Sequence, residues 1–216
     1  MAARVKICGI RTLDEALAVI DAGADALGFH VELEHSTCPI GGAAVASVIA
    51  GLPPFVASVI VTTASEPEAL IRIMRATGAN TLQLQSEVSP DTARAVKSVL
   101  PYVKLYAVVH VFGADAIEEA KKFEDAVDAI ILDSADKTTG ARGGTGKTHD
   151  WNISREIVGS VSVPVILAGG LNPENVAEAI SVVRPYAVDV ATGVSNPDYT
   201  KNIAKVRLFV ERAKEC

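Results

Sequence analysis

The chain has 216 residues, 49% of them hydrophobic, and 20 Lys and Arg against 26 Asp and Glu give a formal net charge of −6. This length and composition suit one domain with a substantial core. The negative charge, with Lys and Arg scattered along the chain, excludes the basic surface that nucleic acids or anionic membranes require. An anionic small molecule would therefore need a local binding site.

Short apolar runs rich in Val and Ile alternate with segments of helical period along nearly the whole chain. This pattern is typical of a parallel sheet covered by helices, because strands buried on both faces are continuously apolar. Eight strands are predicted: Val5–Cys8, Ala26–Val31, Phe55–Val61, Thr81–Gln85, Lys104–Val111, Ala129–Asp133, Val163–Ala168 and Ala187–Ala191.

Eight strand and helix units in a chain of this length predict an α/β protein, a single (β/α)8 TIM-barrel domain over residues 1–216. A flavodoxin-like doubly wound sheet needs only about five strands and is the weaker alternative. The longest irregular stretches, Glu32–Ile40 and Ser134–Asp150, follow the second and sixth strands, on the face where barrel active sites are built. Capping residues mark four helix starts, at Thr12 with Glu15, Ser65 with Glu68, Ser89-Pro90 and Asn172-Pro173.

The sequence shows neither a signal peptide at its start nor an apolar run near the ~20 residues that span a bilayer. We therefore expect a cytoplasmic protein. Its cysteines and histidines have no metal-ligand spacing, so neither a disulfide framework nor a metal centre is predicted. These residues are Cys8, Cys38, Cys216, His30, His35, His110 and His149. Of the histidines, His30 and His110 lie near strand ends, where a ligand contact or a structural role is open.

Cys8 ends the first predicted strand and is followed by Gly9, which places its thiol at the rim of the expected active face. A lone cysteine is often only a small buried hydrophobic residue. A thiolate becomes a base or nucleophile when nearby cations lower its pKa, and Lys6 lies two residues back on the same strand face. Both interpretations remain open from the residues alone.

Asp133 ends the apolar strand Ala129–Asp133, where its carboxylate can face the barrel mouth. Burial there would raise its pKa and suit it to general-acid catalysis. The alternative is an aspartate that caps the loop that follows.

Glycine-rich loops suggest where a phosphate would bind. Gly140–Thr148 does not fit a P-loop, because Ala141 stands where the first glycine is needed. Glycines also follow the seventh strand, in Leu167–Pro173, and the eighth, in Ala191–Val194. Glycine lets backbone N–H groups approach an anion, and barrels often bind phosphate between these two loops.

Several stretches together resemble the phosphoribosylanthranilate isomerase family. The resemblance runs in order from about Val5 to Arg212, and the stretches that carry it are Lys6-Ile7-Cys8-Gly9-Ile10, Ala24–Phe29, Leu132-Asp133-Ser134, Gly143–Trp151, Ala168–Val176 and Val188-Asp189-Val190. The family converts an aminoaldose phosphate to an aminoketose phosphate in tryptophan biosynthesis, by an Amadori rearrangement that needs no cofactor.

The resemblance implies roles for individual residues. The catalytic Cys and Asp of the family match Cys8, which would remove the C2 proton, and Asp133, which would protonate the ring oxygen. The substrate-orienting Asp matches Asp189. The candidate phosphate- or substrate-binding residues are Lys6, Gly146, Gly169, Gly170, Thr192 and Gly193.

The loop after the second strand departs from the family pattern. The family usually has an Arg there that pairs with the anthranilate carboxylate, and Cys38 or its neighbour occupies that position here. Cysteine does not replace a bidentate arginine. Glu32 and Glu34 would further disfavour an anionic ring substituent unless they point to solvent. As a hypothesis, Arg142 supplies a substitute cation from the loop after the sixth strand.

Two shorter motifs also differ, namely Ala191-Thr192-Gly193-Val194-Ser195 where the family usually has Ser-Ser-Gly-Val-Glu, and Leu84-Gln85-Ser86 where Leu-His-Gly is common. The prediction is an isomerase of phosphoribosylanthranilate that binds a small phosphorylated substrate and exists as a monomer or homodimer. The alternatives are a related barrel isomerase of another phosphorylated sugar and a barrel that only binds a phosphorylated metabolite.

Overall fold

The computed structural model describes residues 2–134 and 148–215. Eight parallel strands close into a barrel in chain order, because the last strand pairs with the first. They are β1 (Arg4–Cys8), β2 (Ala26–His30), β3 (Ala57–Thr62), β4 (Thr81–Leu84), β5 (Lys104–His110), β6 (Ala129–Asp133), β7 (Val165–Leu167) and β8 (Ala187–Val190). A closed sheet has no edge strand, which confirms the (β/α)8 barrel and excludes the doubly wound sheet.

Helices alternate with these strands and cover the outside of the barrel. They are α1 (Leu13–Asp21), α2 (Gly42–Ala50), α3 (Pro67–Thr77), α4 (Pro90–Val99), α5 (Asp115–Phe123), α6 (Trp151–Ser160), α7 (Val176–Val183) and α8 (Ile203–Lys214), with a short 3-10 helix at Thr192–Val194. Within the described part of the chain, none of these helices has the length and apolar character needed to cross a membrane.

Two of the four predicted helix starts are confirmed. The side chain of Thr12 accepts a hydrogen bond from the backbone N–H of Glu15, and that of Ser89 accepts one from Thr92. The prediction at Ser65 is wrong, because Pro67 begins α3 and Glu66 precedes it without a side-chain cap. Proline at the first helical position has no N–H group that needs a partner, so α3 can start without a side-chain cap.

The start at Asn172-Pro173 is also wrong, by a few residues. Asn172 accepts hydrogen bonds from the N–H groups of Glu174 and Asn175, and it closes a turn. The helix α7 begins only after this turn, at Val176.

Side chains alternate between the two faces of each strand, as the pleat requires. In β1, Val5 and Ile7 point outward into the core under the helices, whereas Lys6 and Cys8 lie on the opposite face. A separate apolar cluster fills the barrel interior, and it consists of Ala129, Ile131, Ile166, Ala168 and Ala187 with Tyr106 and Val108. The polar inward-facing residues therefore sit above an apolar floor, at the carboxyl ends of the strands.

Candidate active site

Lys6 and Asp189 form a buried ion pair at the barrel mouth. They are paired neighbours in the register of β1 and β8, and Lys6 Nζ lies 2.7 Å from Asp189 Oδ2. Burial lowers the pKa of Lys6, but the charge of Asp189, assisted by Cys8, outweighs it and leaves that pKa above its usual value. The other carboxylate oxygen, Asp189 Oδ1, is buried and has no hydrogen-bond partner among the described residues. It is therefore free to accept a hydrogen bond from a ligand.

Cys8 is buried beside His30 at the ends of β1 and β2. Its Sγ lies 3.2 Å from His30 Nε2, and His30 Nδ1 lies 2.8 Å from Ser36 Oγ. Burial lowers the pKa of His30 to about 3, with the positive charges of Lys6 and Lys201 acting in the same direction. The imidazole is therefore neutral at pH 7, and its Nε2 can accept a hydrogen bond from the thiol.

Burial, rather than the nearby cations, decides the direction of the Cys8 pKa shift. Burial raises this pKa, and the negative charge of Asp189 adds to the rise. Lys6 and Lys201 oppose it without reversing it. A buried thiolate loses its hydration, and two nearby cations only partly replace it.

Asp133 ends β6 and is half-buried at the mouth, where burial raises its pKa to about 7. The charge of Asp189 adds to the rise, while the N–H of Ser134 and the side chain of Gln85 oppose it. The Ser134 N–H donates to Asp133 Oδ1 at 2.8 Å, so the aspartate also holds the start of the next loop. Asp133 thus has both structural features that the sequence interpretations named, a raised pKa and a hydrogen bond to the loop that follows.

The glycines after β7 shape a backbone cradle. Gly169 has a φ of +81°, and a Cβ there would lie 2.5 Å from the backbone nitrogen of Ser134. Only glycine therefore allows the loops after β6 and β7 to approach so closely. Among the described residues, no acceptor is recorded for the N–H groups of Gly169 and Gly170. These two donors are available to an anion.

The loop after β8 contacts the loop after β7 at Gly193. A Cβ at Gly193 would lie 2.0 Å from the carbonyl oxygen of Leu171, far inside van der Waals contact. Thr192 begins the 3-10 helix that carries this glycine. The structure thus brings Gly169, Gly170, Thr192 and Gly193 together, as the sequence predicts. Arg142 and Gly146 lie outside the described residues.

The acidic residues after β2 are exposed to solvent. Glu32 is exposed and binds Arg72 through both carboxylate oxygens, at 3.0 and 2.9 Å. Glu34 is also exposed. The condition under which they would not disfavour an anionic substituent, exposure to solvent, is therefore met, and Arg72 offsets the charge of Glu32. Cys38 is buried, and its N–H donates to Ser36 Oγ at 3.0 Å.

Lys201 is a buried cation that the sequence analysis missed. Its Nζ lies 3.0 Å from Ser195 Oγ and 3.3 Å from the carbonyl oxygen of Ala191. Its residue is only 6% exposed. The sequence signal was weak, because a single Lys after a short polar loop looks like an ordinary surface residue. Within the described residues, no group of His, Cys, Asp and Glu could hold a metal ion.

Comparisons with known proteins agree on one family. The family model for N-(5'-phosphoribosyl)anthranilate isomerase matches residues 5–212. The N-(5'-phosphoribosyl)anthranilate isomerase of Methanocella arvoryzae is 45% identical over 211 residues, 98% of each chain. The crystal structure of phosphoribosyl anthranilate isomerase from Thermotoga maritima has a TM-score of 0.87 at 34% identity, covering 99% of this chain and 100% of that one.

Another similar structure holds a ligand. It is phosphoribosyl anthranilate isomerase in complex with reduced 1-(o-carboxyphenylamino)-1-deoxyribulose 5-phosphate. Its TM-score is 0.85 at 31% identity, and the match covers 99% of this chain and 100% of that one. The sequence motifs, the closed barrel and these relatives lead to the same assignment. The chain belongs to the N-(5'-phosphoribosyl)anthranilate isomerase family.

Proposed function

We propose that this chain isomerises N-(5'-phosphoribosyl)anthranilate to the corresponding aminoketose phosphate without a cofactor, with Asp133 as the acid and Cys8 as the base. One observation carries the assignment of roles. A carboxyl group with a pKa of about 7 and a buried thiol both interact with the same Lys6–Asp189 pair at the barrel mouth. Two neighbouring titratable groups with different pKa values can divide the acid and base roles between them.

The first step is opening of the ribose ring. Protonated Asp133 donates its proton to the ring oxygen as the bond from C1 to that oxygen breaks, and the amine lone pair forms the C1=N bond of a Schiff base. A general acid works best when its pKa lies near the working pH. The pKa of about 7 that burial gives Asp133 meets this condition, whereas an exposed aspartate would be fully ionised.

The second step is transfer of a proton away from C2. The Cys8 thiolate takes the C2 proton, and the electrons of that bond move towards the positively charged nitrogen, which gives an enolamine. Loss of the hydroxyl proton at C2 and addition of a proton at C1 then yield the ketone. The product has the same atoms as the substrate, so the reaction needs no external oxidant or reductant.

The surroundings of Cys8 supply what the thiolate needs. Lys6 interacts with the thiol through its charge and a hydrogen bond, and both favour the thiolate. His30 Nε2, 3.2 Å from Sγ, is placed to accept a hydrogen bond from the thiol and so to orient it. Because burial raises the pKa of Cys8, the thiolate is the minor form at pH 7, and the positive charges of Lys6 and Lys201 stabilise it.

The remaining candidate residues hold the substrate. Asp189 Oδ1 accepts from a substrate hydroxyl, and the N–H groups of Gly169 and Gly170 bind the phosphate together with Thr192 and Gly193. This arrangement supports a small phosphorylated substrate. The roles of Gly146 and Arg142 stay predictions, as does the oligomeric state of monomer or homodimer, which sedimentation velocity would decide.

The test is turnover of freshly generated N-(5'-phosphoribosyl)anthranilate by the unaltered protein, Cys8→Ser and Asp133→Asn. We expect each variant to lose roughly 10²- to 10⁴-fold in kcat, the usual contribution of a general acid or base. Asp125→Asn, at an exposed carboxylate on the opposite side of the barrel before β6, is the matched control and should keep full turnover. Normal turnover in either active-site variant would refute its assigned role.

A second candidate is the isomerisation of a different phosphorylated sugar by the same acid and base. Cys38, at the position where an arginine is expected, is the observation that favours it. An inactive unaltered protein that still binds inorganic phosphate would support this candidate.

A further inference from the structure

We propose that Lys201 is the cation that binds the carboxylate of the anthranilate ring, in place of an arginine at position 38. This inference rests on the proposed function, because it assigns one end of that substrate to one side chain. It makes Lys201 a specificity-determining residue.

A hairpin delivers Lys201 to the mouth from beyond the loop after β8. Ser195 and Lys201 pair as an antiparallel bridge, and the N–H of Asn196 donates to the carbonyl oxygen of Thr200 at 2.8 Å. The N–H of Lys201 donates to Glu15 Oε1 at 2.8 Å, which anchors the hairpin to α1. The backbone of Lys201 is therefore fixed from two sides, and its side chain is directed inward.

The Lys201 side chain ends among the loops that follow β1 and β2. A Cβ placed on Gly9 would lie 3.4 Å from Lys201 Nζ and 3.3 Å from Cys38 Sγ, so both atoms border the same small space. The charge of Lys201 also acts on Cys8 and on His30. The ammonium group thus lies next to the residue that stands at the arginine position and close to the proposed base.

Lys201 Nζ forms no ion pair with a described residue, although the carboxylates of Glu15 and Asp189 favour its charge from farther away. Nζ contacts Ser195 Oγ and the carbonyl oxygen of Ala191, which are both uncharged. Ion pairs recorded for residues 2–134 and 148–215 do not include Lys201, whereas the other buried lysine at the mouth, Lys6, is paired with Asp189. Burying an unpaired ammonium is costly, and an ammonium has three donors, so one N–H of Lys201 remains for an anion.

The position of Lys201 decides which anion it receives. The loop after β8 contacts the loop after β7 at Gly193, where the phosphate is proposed to bind. On its other side, Lys201 reaches the loops after β1 and β2, next to Gly9 and Cys38. Lys201 and the phosphate cradle therefore lie on two sides of this loop. With the phosphate on one side, the second anion of the substrate falls on the other.

The covalent structure of the substrate agrees with this placement. The carboxylate is ortho to the amine nitrogen, which is bonded to C1, next to the C2 from which Cys8 takes a proton. Only a few bonds separate the carboxylate from C2. A cation that binds the carboxylate must therefore lie close to the base, as Lys201 lies close to Cys8.

The test compares two substrates that differ only at the ring: N-(5'-phosphoribosyl)anthranilate and N-(5'-phosphoribosyl)aniline, which has no carboxylate. We expect Lys201→Met to raise KM for the first by roughly 10- to 100-fold, the usual loss for a hydrogen bond to a charged group, and to leave KM for the second nearly unchanged. Lys201→Arg should restore most of the preference. Lys205→Met, an exposed lysine on α8, is the matched control.

An equal rise of KM for both substrates in Lys201→Met and in Lys201→Gln would mean that Lys201 only supports the fold, and would overturn the inference. Unchanged KM for the carboxylated substrate would do the same. If the unaltered protein turns over neither substrate, the proposed function fails separately. Calorimetry with reduced 1-(o-carboxyphenylamino)-1-deoxyribulose 5-phosphate and with its counterpart lacking the carboxylate then decides, since only a Lys201-dependent carboxylate preference supports the inference.

Discussion

The two sides of the barrel mouth are built in different ways. On the side of β6, β7 and β8, the site consists of backbone: Gly169 packs against Ser134, and Gly193 packs against Leu171. On the side of β1 and β2, it consists of side chains, in which His30 connects Cys8 to Ser36. Lys201 joins this second group from a hairpin far along the chain.

The difference explains how each side can change during evolution. A backbone cradle tolerates almost no alteration at Gly169 or Gly193, because a Cβ at either residue would overlap the main chain of a neighbouring loop. A cluster of side chains can exchange one charged residue for another, provided that the charge arrives in the same space. The loss of an arginine at position 38 and the unpaired cation at Lys201 fit such an exchange.

The largest expected effect that separates the two sides comes from Gly193→Ala. The new Cβ would lie 2.0 Å from the carbonyl oxygen of Leu171, so the loops after β7 and β8 must move apart. We expect KM to rise at least about tenfold for substrates with and without the ring carboxylate alike, because the phosphate is common to both. Steady-state kinetics with both substrates measures this. Lys201→Met should raise KM only for the carboxylated substrate.

Gly159→Ala provides the matched control for that substitution. A Cβ at Gly159, within α6, meets no atom within 4 Å. Alanine in a helix is usually slightly stabilising relative to glycine, so turnover should stay normal. A KM change confined to the carboxylated substrate in Gly193→Ala would contradict the division of the mouth into two sides.

How far the sequence could predict the site follows from this division. Gly169, Gly170 and Gly193 were predictable, because glycines directly after two consecutive strands report a local backbone requirement. The pairing of Lys6 with Asp189 was not predicted, although both residues were named, because it depends on the register between the first and last strands. Lys201 was missed for a related reason: its hydrogen bond to Glu15 and its approach to Gly9 form only when distant parts of the chain meet in the fold.

The direction of the Cys8 pKa shift could not be predicted from the sequence, for a physical reason. The sequence shows that a cation lies two residues away, but it does not show how completely the thiol is buried. Burial opposes the thiolate more strongly than Lys6 and Lys201 favour it. For Asp133, burial and the nearby charge of Asp189 act in the same direction, so the prediction from an apolar strand was confirmed.

The pH dependence of kcat/KM tests the proposed acid and base, one on each side of the mouth. Activity requires Asp133 protonated, with a pKa of about 7, and Cys8 ionised, with a pKa above its usual value. Below pH 7 the rate should fall about tenfold per pH unit, because Asp133 is already protonated while the thiolate fraction still decreases. Between the pKa of Asp133 and that of Cys8 the rate is level, because the protonated fraction of Asp133 falls as the thiolate fraction of Cys8 rises. Above the pKa of Cys8 the rate falls again.

The assignment of the two inflections of the kcat/KM profile, the lower to Asp133 and the higher to Cys8, can be checked independently. The rate of Cys8 alkylation as a function of pH reports the thiol alone, and it should rise at a pH well above the lower inflection of the kinetic profile. In Lys201→Met, the removal of a cation should raise the pKa of Cys8 further while the inflection near pH 7 stays in place. An alkylation profile with its midpoint near 7 would show that Cys8, and not Asp133, produces the lower limb.

The smallest expected effect concerns stability and depends on Asp133 alone. Its pKa is about 7 in the folded protein and near ~3.9 when unfolded, so the folded state holds this proton more tightly. The stability that Asp133 contributes is therefore complete below about pH 4 and is lost as the pH rises through 7. Asp133→Asn, which never ionises, should gain roughly 2 kcal/mol relative to the unaltered protein between pH 4 and 8, less than the full shift implies because the carboxyl is partly solvated. Urea unfolding at both pH values measures this gain, with the exposed Asp125→Asn as the reference. If the difference in the free energy of unfolding between Asp133→Asn and the unaltered protein does not depend on pH, Asp133 is ionised in the folded protein and cannot serve as its acid.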